Sequence, residues 1–340
     1  MNRFAIARPK TLEQARALLV GGDYALPVLK AGGMDVLDHI KEGLWEPDLL
    51  IDLRGVGRRD GDAGGAGGDG ISRDGQGTLR VEAQTTLAQI AASTLVRDLT
   101  PVVAQAVESA ATPQVRNVAT AAGNLLQRPR CWYYRLKQFD CLKKGGDTCF
   151  AFDGENQYHA VFGGGPCHIV HPSNLAVALH VCDGEVHLFG GDRESLGVAE
   201  LYHLPDQGVA DEHNLRPGEI VTHLSMHDAP HSAFYAIKQK QSFDWPLVMA
   251  AVALELDGAV IRSARICVGA VAPVPWPLPK VADALRGVRL NDDAAIVRAC
   301  ALAADGARPL RDNGYKLQLL PVVVRRAVYK AAGMPFEALS

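Results

Sequence analysis

With 340 residues, 48% of them hydrophobic and 21% charged, the chain can bury a large core and is too long for one small domain. Two or three domains are expected, and a disordered, collagenous or fibrous class is excluded. A net charge of −3 gives no electrostatic reason to expect nucleic acid or an anionic membrane as partner.

No apolar run reaches the ~18 residues needed to span a bilayer, and Met1 to Lys10 lacks the basic-then-apolar plan of a signal peptide. The chain is therefore expected in the cytoplasm by its own sequence, with no membrane association. A periplasmic location would require export with a signal-bearing partner.

Thr11-Leu-Glu-Gln14 has capping-box spacing and predicts a short amphipathic helix to Val20. A Gly-Gly turn leads to a strand over Leu26 to Lys30, which ends in Ala31-Gly32-Gly33. A helix follows over Met34 to Lys41, and Leu49 to Leu53 reads as a buried strand. Residues 55 to 78, and 56–75 in particular, are Gly, Asp and Arg with little to bury, and predict a flexible surface loop.

Thr78 to Ala83 predicts a strand, and a second capping box at Thr86-Leu-Ala-Gln89 starts a helix. Val102 to Ala111 continues as helix, Asn174 to Leu188 as a helix running into a strand, and Ile220 to Ser225 as a strand. Beyond about 230 the texture changes to strands at Ala233 to Lys238, Ala250 to Leu256, Ala259 to Arg262 and Ala264 to Val271. Helices are predicted at Pro279 to Arg286, Asp292 to Asp305 and Gln318 to Ala332.

Three stretches carry chemistry. In Lys30-Ala-Gly-Gly-Met-Asp-Val-Leu37 a strand ends in two glycines before a helix, a turn whose N–H groups can cradle phosphate oxygens or be structural only. Thr112 to Leu126 is rich in small and hydrogen-bonding residues without apolar period; it suits a backbone wrapping a polar ligand, or a buried loop whose Arg116 and Asn117 satisfy carbonyls.

The third is Cys131, Cys141, Cys149 and Cys167, separated by nine, seven and seventeen residues on a Gly-rich segment. Four thiolates there can hold a [4Fe-4S] cluster or a zinc ion, or be unrelated buried thiols; spacing does not choose. His159, His168 and His171 lie nearby. No Ser-His-Asp order, paired-carboxylate signature or Walker loop occurs, so no catalytic residue is assigned.

These stretches together resemble the flavoprotein subunits of molybdenum hydroxylases, the xanthine dehydrogenase and aldehyde oxidoreductase family. Ala31-Gly-Gly-Met-Asp-Val-Leu37 is similar to the family's first flavin loop, Ala-Gly-Gly-Thr-x-Leu-Leu. Gln114-Val-Arg-Asn-Val-Ala-Thr-Ala-Ala-Gly-Asn124 is similar to its second, Gln-Ile-Arg-Asn-x-Gly-Thr-x-Gly-Gly-Asn. The likeness continues in Pro172-Ser-Asn-Leu-Ala176, Lys238 to Leu247, Ile266 to Trp276 and Asn313-Gly-Tyr-Lys-Leu317, and so covers almost the whole chain. Departures are Met34 in place of Thr or His, Ala119 and Ala122 where glycine is common, Asn174 for Asp, and Lys240 for Arg.

The resemblance implies an α+β fold: a bipartite FAD-binding region of the vanillyl-alcohol oxidase and molybdenum hydroxylase type (1–55 and 76–228, with an iron-sulfur insertion at about 127–170) and a C-terminal α+β domain (229–340). FAD is expected in the crevice between them, held by Lys30, Ala31, Gly32, Gly33, Met34, Asp35, Val36, Thr112, Arg116, Thr120, Ala122, Gly123, Asn124, Asn174 and Lys240. Cys131 and the three later cysteines resemble the branch with an added [4Fe-4S] cluster, as in periplasmic aldehyde oxidoreductase.

The implied partners are a large molybdenum-cofactor subunit, a small subunit with two [2Fe-2S] clusters and an external electron acceptor, in a heterotrimer acting on aldehydes. A self-contained FAD-linked oxidase and a zinc-stapled binding module are the alternatives.

Overall fold

The computed structural model describes residues 3–56, 70–75, 77–240 and 243–335. Residues 3–56 form a parallel sheet in the order β1 (Ala5–Ala7), β3 (Leu49–Asp52), β2 (Pro27–Lys30), with α1 (Leu12–Val20) and α2 (Val36–Lys41) between the strands. β3 is buried on both faces, which is why it reads as a continuous apolar run. Leu49 and Ile51 pack with Ala15 of α1, whereas Leu50 packs with Val36 and Ile40 of α2. Thr11 caps α1 by accepting from Gln14 N, but the Gln14 amide reaches Lys10 N instead of Thr11 N, so this capping box is shifted by one residue.

An antiparallel five-stranded sheet follows: β4 (Ile71–Arg73), β5 (Leu79–Glu82), β8 (Ile220–Met226), β6 (Glu185–Phe189) and β7 (Ser195–Gly197) in spatial order. Between β5 and β6 the chain forms α3 (Leu87–Ala92), α4 (Thr94–Leu99), α5 (Pro101–Glu108), α6 (Pro113–Arg116), α7 (Ala121–Leu125), α8 (Trp132–Arg135) and α9 (Asn174–Val181). The capping box at Thr86 and Gln89 is complete in both directions.

The loop expected over 55–78 is corrected at its far end. Ile71 is buried and pairs with Val81, which makes β4 a strand. The Gly-rich centre, 57–69, lies outside the described residues.

The last sheet is antiparallel, β12 (Trp276–Pro277), β11 (Val260–Gly269), β10 (Pro246–Asp257), β9 (Ser232–Lys238), and is covered by α10 (Pro279–Leu285), α11 (Asp293–Ala301) and α12 (Tyr315–Ala331). β10 has core on both sides. Met249, Ala251 and Ala253 join the core that contains α5 and α9, while Val248, Ala250, Val252 and Leu254 join the one under α12. The two strands expected at 259–262 and 264–271 are one strand, β11. Its partner pairs change from Glu255↔Ser263 to Leu256↔Ile261, so Arg262 is an extra, bulged residue that breaks the alternation.

The fold is thus α+β, with the sheets segregated along the chain. Among the described residues no helix is long and apolar enough to cross a membrane.

Candidate functional site: two glycine-rich loops, a thiol segment and a shared pocket

The end of β2 and the turn between α6 and α7 meet back to back. A Cβ placed on Gly32 would lie 2.1 Å from Val118 O, so only glycine permits this approach of the two backbones. Gly33 has φ +87°, the left-handed turn that aims the chain into α2. Lys30 pairs with Asp52 at 3.4 Å and also donates to Ala31 O. Ala31 and Val36 complete the first loop, with Val36 in the core beneath it and the Met34 side chain exposed.

In the second loop Thr112 and Thr120 are N-caps, accepting from Val115 N and Gly123 N, and so turn an aperiodic stretch into two short helices. Arg116 spends its guanidinium on Ala110 O and Ala111 O, holding the turn from inside. Ala122 is buried, and Gly123 is exposed at the start of α7. Asn124 accepts from Ser173 Oγ at 2.7 Å, which joins this loop to the start of α9. The Asn174 amide donates to Ala106 O and is buried. Lys240 is exposed just after β9.

Asp35 does something the sequence did not disclose. Its carboxylate accepts from Arg135 Nη2 at 2.8 Å and Arg128 N at 2.9 Å, and pairs with Arg130 at 3.2 Å. Burial pushes its pKa up, but the Arg135 and Arg130 charges and the Arg128 N–H pull it net below the usual carboxylate range. Asp35 therefore ties the first loop to the segment that contains Cys131. Asp35→Ala should lower stability by about 2 kcal/mol, because the Arg128 N–H loses its acceptor and Arg130 and Arg135 keep only Asp38 as carboxylate partner, as read by urea unfolding. The folded-state pKa is depressed, so the wild-type advantage is full above pH ~4 and is lost as pH falls through the folded value. Equal stability of the two proteins at pH 7 would refute this.

The thiol segment leaves α7 and returns at α9. Cys131 and Cys149 are partly buried, Cys141 and Cys167 buried, and all four are free thiols. The hydrogen bond from Cys167 pulls the Cys149 thiol down, and the same contact together with burial drives the Cys167 thiol up. Burial pushes Cys131 up to about 11, and the neighbouring Cys149 and Cys141 add to the rise. The four are thus brought into one neighbourhood. Among the described residues, however, no three His, Cys, Asp or Glu side chains are disposed to hold a metal ion. Of the other thiols, Cys267 and Cys300 are buried in β11 and α11, while Cys182 is buried at the C-cap of α9.

The Asn313-Gly-Tyr-Lys-Leu317 stretch clamps this segment. Asn313 donates to His159 O and Ala160 O, and Tyr315 Oη to Gln157 O. Lys316, only 1% exposed, donates to Tyr158 O, His159 O and Ala270 O at 3.0, 2.9 and 2.6 Å. On the other flank Lys143 and Arg128 share Glu212.

A pocket of about 170 Å³ opens where the thiol segment, the irregular stretch leading to α9, and the third sheet meet; Arg130, Cys131, Trp132, Tyr158, His159, His171, Gln239, Trp245, Met249 and Ala270 are among its walls. Arg130 stacks over Trp245 at 5.1 Å. Three of its wall residues have a buried polar atom with no protein partner: Arg130 Nε, His159 Nδ1 and His171 Nε2. Burial holds the two rings neutral, His159 at about 4 and His171 at about 3. Apolar walls with a few convergent polar atoms fit a planar heterocycle with a polar edge. Sequence reasoning missed these residues as a set, although His171-Pro172 and Trp245-Pro-Leu247 stood in or next to stretches already picked out.

The fold and its paired loops fit an FAD-binding flavoprotein, and the family match defines the chain as one. Residues 2–226 match the FAD binding domain in molybdopterin dehydrogenase, and residues 232–331 the CO dehydrogenase flavoprotein C-terminal domain. The chain belongs to the family of FAD-binding subunits of molybdenum hydroxylases. It is 32% identical over 295 residues to the aldehyde oxidoreductase FAD-binding subunit PaoB of Escherichia coli (strain K12), covering 85% of this chain and 86% of that one. It is 26% identical over 336 residues to the carbon monoxide dehydrogenase medium chain of Afipia carboxidovorans, covering 96% of each.

In fold it is similar to carbon monoxide dehydrogenase from Hydrogenophaga pseudoflava (TM-score 0.73, 22% identity, 98% of each chain). Quinoline 2-oxidoreductase from Pseudomonas putida 86 is comparably similar (TM-score 0.73, 20% identity, 98% of each chain). The chain is an oxidoreductase subunit that binds FAD and does not hold the substrate-oxidising site.

Proposed function

We propose that this subunit also carries a [4Fe-4S] cluster on Cys131, Cys141, Cys149 and Cys167. It would pass electrons to an external acceptor, drawing them from a large molybdenum-cofactor subunit and a small subunit with two [2Fe-2S] clusters, in an assembly that oxidises aldehydes. Cys131 carries the reading, because it lies in the wall of the pocket and is at the same time a neighbour of Cys141 and Cys149. A cluster ligand there would stand directly beside the flavin.

The residues present suit both groups. Four sulfur donors match a soft iron-sulfur centre. For FAD, the loops of Lys30 to Val36 and Thr112 to Asn124 offer backbone N–H groups to the diphosphate, and the pocket accepts the ring system. FAD supplies the two-electron store and the cluster a one-electron step. The protein's part is to bind, orient and keep water out. Aldehydes are favoured by the similarity to the aldehyde oxidoreductase FAD-binding subunit.

The test is a visible spectrum with iron and sulfide analysis on the chain purified with its partners. Flavin bands with a broad violet shoulder are expected. Replacing both Cys141 and Cys149 with Ser should remove the iron and leave FAD bound, while Cys300→Ser changes neither. Full iron in the double variant would strike these residues from the ligand set. Flavin bands alone, with dye reduction by aldehyde in the absence of any molybdenum partner, would mean a self-contained oxidase; a colourless zinc protein would mean a stapled binding module.

A further inference from the structure

His159 stands between the thiol segment and the pocket. Its Nε2 is 3.2 Å from Cys131 Sγ, while its Nδ1 is buried without a protein partner and its ring forms part of the pocket wall. The ring has little freedom to turn away. It packs edge-on to Trp132 at 5.4 Å between centroids, and the backbone behind it is fixed by His159 N to Asn156 O and by Lys316 and Asn313 on His159 O.

We propose that His159 is a positioning residue that donates its Nε2–H to Cys131 Sγ and so makes the cluster easier to reduce. This rests on the cluster reading above. A cluster-bound thiolate can only accept, so it imposes the tautomer: an Nε2 lone pair would face a sulfur lone pair, whereas Nε2–H gives a charge-assisted hydrogen bond. One-electron reduction adds one unit of negative charge to the cluster and its sulfurs. No bond breaks and no proton moves. An N–H already aimed at a ligand sulfur stabilises the more negative state more than the less negative one, which raises the potential. Among the described side chains of the pocket wall, His159 alone makes a hydrogen-bond contact with one of the four thiols.

The experiment is a dithionite titration of the full chain with its partners, followed by the electron paramagnetic resonance of the reduced cluster. His159→Leu should make reduction about tenfold less favourable, a shift of ~59 mV to more negative potential for a one-electron couple. His159→Gln, which can keep an N–H, should recover part of the shift. In case the variants load iron poorly, the wild-type protein with ¹⁵N-histidine, compared in H₂O and D₂O by electron-nuclear double resonance, should show an exchangeable proton and a nitrogen coupled to the cluster. An unchanged potential in iron-replete His159→Leu, equal shifts in Leu and Gln variants, or no such coupling would overturn the hydrogen bond while leaving the cluster in place. Wild-type chain without iron would overturn both.

Discussion

Purified Gly32→Val should contain almost no FAD. The added Cβ would sit 2.1 Å from Val118 O and 3.0 Å from Val118 C, atoms of the backbone that cannot swing aside as a side-chain tip can. Relief requires the two loops to separate by about an ångström, and a displacement of that size at a binding constellation costs on the order of a hundredfold or more. Gly33 is the informative contrast. A Cβ there meets only Lys30 Cε at 3.0 Å and Leu37 Cδ1 at 3.2 Å, ends of flexible side chains, so the penalty is mainly its φ of +87°. That costs about 1–2 kcal/mol, and Gly33→Ala should keep a measurable share of its flavin. The readout is the flavin-to-protein ratio after gel filtration. Wild-type flavin content in Gly32→Val would sink the assignment of these loops.

Lys316→Met should be the most destabilising single substitution considered. Three carbonyls, of Tyr158, His159 and Ala270, lose their donor at once in a buried place, and the tie between α12 and the thiol segment is cut. A loss of ~3–5 kcal/mol is expected, a large part of the ~5–15 kcal/mol by which domains are stable. The pH dependence is a separate signature. Burial pushes the ammonium down to about 7, whereas an unfolded lysine titrates near ~10.4. Between those values the unfolded chain binds more protons, so wild-type stability rises with pH across that window and falls back toward pH 7. The Met variant lacks that slope. Denaturant midpoints at pH 7 and 9.5 for both proteins check it, and identical slopes would refute the account.

What could be read from the residues was whatever is encoded locally. The Thr86 capping box, the two-sided apolar run of β3 and the small-residue texture of the second loop each reflect neighbours a few positions away. β11 was split in two because Arg262 interrupts the alternation, and only the pairing register shows it as a bulge. The start of α12 was placed three residues late, since Tyr315-Lys-Leu317 contains a lysine that no periodicity would bury. The arginine cage of Asp35, the clamp by Lys316 and the pocket itself are assembled from distant segments. A polar residue whose partner is 100 residues away carries no local mark of it.

The clamp on the thiol segment also sets an order of events during synthesis. Tyr315 and Gln157 are 158 residues apart, so the contacts that fix residues 157–160 cannot form until the ribosome has delivered α12. At ~5–20 residues per second that interval is roughly 10–30 s, during which the four cysteines are already made but unsecured. Their exposure to oxidants and stray metals falls in that window. Any truncation before Asn313 would make the window permanent, leaving the N-terminal sheets able to form while the pocket wall at residues 158–159 stays untethered.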